Sequence, residues 1–179
     1  MKIPKKERPL PYVLGGIIWL TILIWFDQWT KLLAVQHLKG QSSIPLIKGV
    51  LELQYLENRG AAFGMLQNFQ WVFVVLCAVF LIGAIVFYWL LPSTKRMLPL
   101  HILCILAMAG GIGNAIDRIL HNYVIDFVYF SLIDFPIFNV ADCYVVICAV
   151  CLLIFFFFYY KEEDFAFLSR KSDEKKAKS

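Results

Sequence analysis

FQWVFVVLCAVFLIGAIVFYWLL, residues Phe69–Leu91, carries no charge and shows no alternation of polar with apolar positions. About 20 apolar residues suffice for a helix to cross a bilayer. A β-barrel span would need a polar residue at every second position, which this stretch lacks. Three other runs have the same character: Pro11 to about Trp29, Leu100 to about Leu120, and about Asn139–Tyr160. Composition agrees, at 60% hydrophobic, 16% aromatic and a mean hydropathy of +0.70, where a soluble domain would be roughly half apolar. The expectation is an all-α membrane protein with four transmembrane helices, at about 11–29, 69–91, 100–120 and 139–160. This membrane domain, residues 11–160, is preceded by a basic stretch, 1–10, and followed by a charged tail, 161–179.

Basic residues set the expected orientation. The amino-terminal "MKIPKKER", the loop "PSTKRMLP" and the tail after Tyr160 together hold 12 of the 17 Lys and Arg. An even number of spans puts all three on one side, and the positive-inside rule makes that side cytoplasmic, N-in and C-in. Tyr12, Tyr88, Trp89, Tyr159 and Tyr160 would form the inner aromatic belt; Trp25, Trp29, Trp71, Tyr123 and Tyr144 would form the outer one. The first span has a basic start but no small-x-small site after it, so it reads as an uncleaved anchor. The net charge of +4 reflects this topology and gives no reason to expect nucleic acid as a partner. All five cysteines fall inside the spans. Cys148 and Cys151 share a helix face as C-x-x-C, but without further ligands they read as apolar packing residues.

Polar residues of the spans gather at three outward ends. Span one ends with Asp27, Gln28, Thr30 and Lys31; span three with Asn114, Asp117 and Arg118; span four opens with Asn139 and Asp142. Asp27 and Lys31 are i,i+4, while Asn114/Asp117 and Asn139/Asp142 are i,i+3, so each pair shares a face. Ionisable groups at such depth face the bundle interior or a wet cavity. Plainer roles exist for each. Asp27 and Lys31 can be a salt bridge fixing a helix end, Asn139 an N-cap, and Asp142 an anion favoured by the helix dipole. Asp117 and Arg118 are adjacent and point to different faces, so they serve one another poorly as an ion pair.

The outer loops add the remaining candidates. Loop one, about Leu33–Asn68, holds a half-alternating segment that reads as short strands at the interface, giving a small β-containing extracytoplasmic region. Loop two, His121–Phe138, is aromatic and contains Asp126 and Asp134. Two carboxylates flanking one cleft, Asp126 and Asp142, are what an aspartic protease requires. Such a pair shares one proton, so one member activates water while the other hydrogen-bonds or protonates the scissile carbonyl. No G-x-S-x-G or H-E-x-x-H occurs, and His37, His101 and His121 are scattered, so neither a serine triad nor a zinc site is expected. The G-x-G-D signature is missing, because Gly111-Ile112-Gly113 is followed by Asn114.

Taken in order, these blocks resemble the lipoprotein signal peptidases (signal peptidase II). "DQWTK" (27–31) is similar to D-Q-x-[ST]-K, "NRGAAFG" (58–64) to N-x-G-A-A-F, and "GNAIDR" (113–118) to G-N-x-x-D-R. "VIDF" (124–127) is similar to V-x-D-F and "FNVAD" (138–142) to F-N-x-A-D. The resemblance implies Asp126 and Asp142 as the catalytic pair. It implies Asp27, Lys31, Asn58, Gly60, Asn114, Asp117, Arg118 and Asn139 as substrate-contacting or supporting residues. Asp117 is the second candidate for an essential carboxylate, and the residues alone do not rank it below Asp126. The resemblance further implies removal of signal peptides from diacylglyceryl-modified prolipoproteins by cleavage before the lipid-modified cysteine. Water would be the nucleophile, with no metal and no cofactor. Implied partners are prolipoproteins, membrane lipids and, as inhibitors, peptide antibiotics of the globomycin type. The implied location is the bacterial cytoplasmic (inner) membrane, with the site near its outer face. One departure from the family pattern stands ahead of Gly113, where Ala109-Gly110-Gly111 replaces Gly-Gly-Ala; the residues stay small, so close helix approach should survive. Two rivals use the same residues: a small transporter with a proton or cation site, and a structural subunit whose polar ends anchor helices. Transport sites lie near the midplane, whereas these residues cluster toward one interface.

Overall fold

The computed structural model describes residues 10–60 and 70–168. The basic stretch 1–9, residues 61–64 of the N-x-G-A-A-F block and residues 169–179 of the tail lie outside the described residues. Four helices are long and apolar enough to cross a membrane: α1 (Leu10–Leu38), α2 (Gln70–Leu90), α3 (Leu98–His121) and α4 (Val140–Phe158). Three strands form one antiparallel sheet in the order β1 (Ile44–Ile47), β2 (Leu51–Asn58), β3 (Val124–Tyr129).

α1 is longer than its apolar run. It was expected to end near Trp29 and to give way to a loop from Leu33, but it continues to Leu38. The charges at 27–31 do not stop it because they are neutralised inside the protein: Lys31 Nζ lies 3.0 Å from both Asp27 and Asp117. The extra turns have work for their apolar face. Ala34 and Leu38 bury against Ile125 and Phe127 of β3, so the end of α1 forms the support of the sheet.

α3 is the hub. α1, α2 and α4 each pack along it, and α2 scarcely touches α4 among the described residues. It is also the helix with the most buried residues, ten of its 24, including Leu103, Met108, Ala109 and Asp117. Two glycines permit the approach. A Cβ at Gly110 would lie 2.6 Å from the Ala141 carbonyl oxygen, and one at Gly113 would lie 2.5 Å from Asp27 Oδ2. Neither distance is one a real methyl group could occupy, so α4 and α1 come this close only to bare backbone.

β3 is the element that the aromatic reading of loop two missed. Its first four residues, Val124–Phe127, are all buried, so the strand carries no period-2 alternation to announce it. It pairs with β2 (Leu56 opposite Asp126, Asn58 opposite Val124), and a bridge from Val128 to Phe138 ties the chain entering α4 to the same sheet.

The aromatic belts also need correction. Tyr88, Tyr144 and Tyr160 are buried, and each hydroxyl is spent inside the protein, on the carbonyls of Tyr12, Leu23 and Arg96 respectively. Buried tyrosine hydroxyls need such partners, and rings so placed lock elements together; they do not sit at a lipid boundary. The cysteines are all free thiols, and Cys148 donates to the Leu103 carbonyl.

Candidate active site

Three helix ends and two strands bring the candidate residues together. Lys31, deep on α1, is almost fully buried. Its three N–H donors find three acceptors, Asp27 Oδ2, Asp117 Oδ2 and Asn114 Oδ1, each at 3.0 Å. A buried ammonium is tolerable only when saturated in this way. The two carboxylates are in turn fully used. Asp27 Oδ1 accepts the Ala141 backbone N–H at 2.9 Å, and Asp117 Oδ2 accepts that of Ile125 at 3.1 Å. Gln28 Nε2 bridges both, at 3.1 Å from Asp27 Oδ2 and 3.1 Å from Asp117 Oδ1. Gln28 was not among the candidates, although its place in the first block was a signal. This hub welds α1, α3, α4 and β3. Asp117 spends its charge on Lys31, not on the neighbouring Arg118.

Beside the hub sit the other two carboxylates. Asn139 caps α4: its Oδ1 accepts the Asp142 N–H at 3.1 Å, and its own N–H donates to Asp142 Oδ2 at 3.0 Å. This reciprocal capping box fixes the Asp142 rotamer. The same Asn139 side chain donates from Nδ2 to Asp126 Oδ1 at 2.6 Å. One asparagine therefore holds both carboxylates. Asp126 Oδ2 accepts from Asn58 Nδ2 at 2.8 Å, across the diagonal of the β2–β3 pair, and Asn58 Oδ1 is itself fixed by the Gly60 N–H at 3.0 Å. Asn114 connects the two clusters, accepting from Lys31 and Asn139 and donating to Asp142 Oδ1 at 2.7 Å.

Asp126 is 2% exposed. Burial first, and then the charge of Asp142, push its carboxyl up to about 7, against the hydrogen bonds of Asn58 and Asn139, which favour the ionised form. Asp126 thus titrates close to neutrality, well above an ordinary carboxyl.

Asp126 and Asp142 both line a cavity of about 1050 Å³. Asn58, Asn114 and Arg118 are among its polar residues, and Leu56, Phe135, Phe138, Val145 and Val146 among its apolar ones. Arg118 lies over the Phe73 ring at 4.9 Å and donates to the Asn114 carbonyl, while its Nε has no acceptor among the described residues. Asp134 also borders the cavity but accepts only from Tyr129 there, at 2.6 Å, apart from the Asn139 network.

Four helices of membrane length, an acidic pair held by one asparagine, and five ordered sequence blocks converge on one comparison. A model of the signal peptidase (SPase) II family matches residues 19–158. The chain belongs to the signal peptidase II family. Among its relatives, the lipoprotein signal peptidase of Streptococcus thermophilus (strain CNRZ 1066) is 47% identical over 125 residues, 70% of this chain and 80% of that protein. The lipoprotein signal peptidase of Streptococcus pyogenes serotype M3 (strain ATCC BAA-595 / MGAS315) is 40% identical over 140 residues, 76% and 91%. A bacterial membrane enzyme solved by the in meso method at 1.9 Å resolution superposes with a TM-score of 0.72 at 27% identity, covering 87% of this chain and 99% of that one. As a signal peptidase II, the protein is a protease with a multi-pass, four-helix body and a small three-stranded sheet.

Proposed function

We propose that the protein is an aspartic endopeptidase that removes signal peptides from diacylglyceryl-modified prolipoproteins, with Asp126 and Asp142 as its catalytic pair. The observation that carries the reading is the double hold of Asn139 on both carboxylates at the wall of one cavity. A pair so placed cannot comfortably ionise twice, and it keeps one proton between its members. The ionised carboxylate takes a proton from water as the oxygen attacks the carbonyl carbon before the lipid-modified cysteine. The protonated one donates to the carbonyl oxygen. Proton return to the departing cysteine nitrogen then breaks the C–N bond.

The remaining residues position this chemistry. Asn58, with Gly60 behind it, aims Asp126; Asn114 and Asn139 aim Asp142. Asp27, Lys31 and Asp117 hold the helices at the spacing the pair needs. Arg118, on the wall of the cavity, faces the substrate. By the same reading the termini lie in the cytoplasm, the site sits near the outer face of the bacterial cytoplasmic membrane, and the apolar wall accommodates lipid. Peptide antibiotics of the globomycin type compete for this cavity.

The test is cleavage of a lipid-modified precursor by purified protein in detergent. Asp126→Asn and Asp142→Asn should each reduce kcat by at least about a thousandfold, and the double variant should be little worse, because residues acting as a unit are not additive. A single variant that keeps a tenth of the activity would remove that carboxylate from the chemistry.

A further inference from the structure

Between β3 and α4 the chain leaves the sheet at Tyr129 and rejoins it at Phe138, and residues 130–137 form a loop of fixed shape. Val128 and Phe138 close its base with backbone hydrogen bonds of 2.9 and 3.0 Å. Within it the Phe135 N–H donates to the Phe130 carbonyl at 3.2 Å, a 3-10 turn spans Ser131–Ile133, and Asp134 adopts a left-handed backbone at φ 50°. The Leu132 N–H reaches the Val50 carbonyl at 3.5 Å, which sets the loop tip beside the turn between β1 and β2. The backbone is ordered, yet the apolar side chains point away from the protein. Leu132 is 62% exposed, Ile133 is 66% exposed, and Phe135 is exposed beside them, as are Leu46 and Ile47 where β1 enters the neighbouring turn. A contiguous apolar patch of this kind marks a contact surface.

α4 shows which way the tip faces. Its buried residues, Ala141, Tyr144 and Cys148, lie on one stripe against α3 and α1. Val146, Val150, Leu153 and Phe157 recur at three- and four-residue spacing on another stripe and are exposed, as the lipid side of a spanning helix is. The large cavity is walled by Val146 and Ile147 of α4 and by Phe135, Pro136 and Ile137 of the loop, so the loop stands over the lipid beside α4. This corner otherwise lacks an interfacial anchor. Trp25 and Trp29 on α1 and Trp71 on α2 are exposed, as suits the membrane boundary, whereas the one tyrosine of α4, Tyr144, is buried. The charge beside the tip is positive. Lys48, in the turn next to Leu132, is exposed and has no ion-pair partner among the described residues. Asp134 is held at the cavity by the Tyr129 hydroxyl at 2.6 Å, and Glu52 is engaged by Ser43 at 2.8 Å.

We propose that the loop tip, Leu132, Ile133 and Phe135, with Leu46 and Ile47 of β1, dips into the bilayer leaflet at the end of the bundle that carries the acidic pair, and that Lys48 meets an anionic headgroup at its edge. The partner is a lipid surface. Apolar side chains lose contact with water by entering the acyl region. The N–H groups of Leu132, Asp134 and Phe135 are already paired inside the protein, which lowers the cost of bringing this backbone near hydrocarbon. An ammonium beside the patch adds attraction to an anionic membrane surface. The loop continues from β3 at one end and into α4 at the other, so seating it fixes the depth of Asp126 and Asp142 together. The surface stands whichever carboxylates do the chemistry.

Fluorescence quenching tests it. The full chain carrying Ile133→dansylalanine is reconstituted at high dilution in vesicles of phosphatidylcholine and phosphatidylglycerol. Lipids brominated near the glycerol end of their acyl chains should quench the probe roughly twofold, as for a side chain seated at the headgroup–acyl boundary, and iodide in the water should quench it little. Quenching by iodide with none by bromolipid puts the tip in water and overturns the proposal. Protection from both quenchers means that protein, a second copy of the chain, covers the tip, and this also overturns it. Circular dichroism checks the fold; Leu132→dansylalanine, at the neighbouring exposed position, supplies the same readings if the Ile133 variant fails to fold. In a second arm Lys48→Glu is added. Bromolipid quenching should fall by roughly half in vesicles rich in phosphatidylglycerol and hold in phosphatidylcholine alone. Equal quenching with and without Lys48→Glu in both lipids overturns the headgroup contact.

Discussion

Asp126→Asn should make the protein more stable above neutral pH while abolishing cleavage. The folded state lifts this carboxyl from 3.8 to about 7, so the sign is that of a destabilised anion. The folded chain gains nothing from this group below about pH 4 and loses stability progressively as pH rises toward 7. Fully ionised at pH 8, the group costs the folded state about 4 kcal/mol, at 1.36 kcal/mol per pH unit. An asparagine carries no charge and escapes that cost. It introduces a smaller one. Asp126 accepts from two amide donors, Asn58 Nδ2 and Asn139 Nδ2, whereas an asparagine there would turn its own NH2 toward one of them. Neither partner can flip freely, because Asn58 Oδ1 is held by Gly60 and Asn139 Oδ1 by Asp142. One mismatched buried donor costs about 1–2 kcal/mol. The net is a gain of about 2–3 kcal/mol at pH 8, about zero at pH 5, and a loss of about 1–2 kcal/mol at pH 3. For a chain of this size each kcal/mol moves Tm by roughly 2–4 °C. Thermal unfolding in detergent, followed across pH 3–8 for both proteins, should therefore show the two Tm curves crossing near pH 5. Parallel curves would mean that Asp126 is not held protonated by its surroundings, and the shared-proton argument would go with it.

The other predictions address the supports and the controls. Asp27→Asn leaves Lys31 one carboxylate, Asp117, so it should lower Tm in detergent by several degrees with partial loss of activity; full inactivation at unchanged Tm would move Asp27 into the chemistry. Gly113→Ala drives a methyl group against Asp27 Oδ2 and should cost about 1–3 kcal/mol by overpacking, read as a lower unfolding midpoint; an unchanged midpoint would show that α1 and α3 are not held at this spacing. Asp134→Asn keeps an acceptor for Tyr129, and asparagine tolerates its positive φ of 50°, so kcat/KM should stay within about twofold; a dead Asp134→Asn beside an active Asp126→Asn would mean the wrong loop carboxylate was chosen. Cleavage should persist after EDTA and after serine-directed reagents, and activity lost to a chelator and restored by zinc would end the acidic-pair mechanism.

The four-helix plan was legible because an uncharged run such as Phe69–Leu91 has few structural alternatives. The gathering of polar residues was legible because helical spacing placed each pair on a face. What stayed hidden depended on partners far away in sequence. Asp27 and Lys31 looked like a helix end, and only Asp117, Asn114 and Gln28 together make them an interior that α1 can run through. β3 was hidden by its own burial, since a strand covered on both faces loses the alternation by which strands are read. Tyr88, Tyr144 and Tyr160 had the composition of a membrane belt but lie inside, and a lone tyrosine in an apolar run does not reveal which side of the helix it will take. Asn139 was read as an N-cap or a contact of the acidic pair; its geometry makes it both at once.

The arrangement explains why a lysine so close to the pair does not discharge it. If Lys31 pointed at Asp126 or Asp142, its charge would favour the doubly ionised state, and no carboxyl would keep a proton for the substrate. Its three donors are consumed by Asp27, Asp117 and Asn114. The two carboxylates on it already outweigh its single charge, so the hub offers the pair little net positive field. What does reach the pair is directional. Asn114 accepts from the ammonium at one end of its amide and donates to Asp142 at the other, a polarised link between hub and pair. Asp126, backed by buried apolar neighbours at Val124, Ile125 and Phe127, accepts from the neutral amides of Asn58 and Asn139. The two carboxyls thus differ in setting: Asp142 is tied to the hub through Asn114, whereas burial raises the carboxyl of Asp126, an inequality of the kind that separate acid and base roles use.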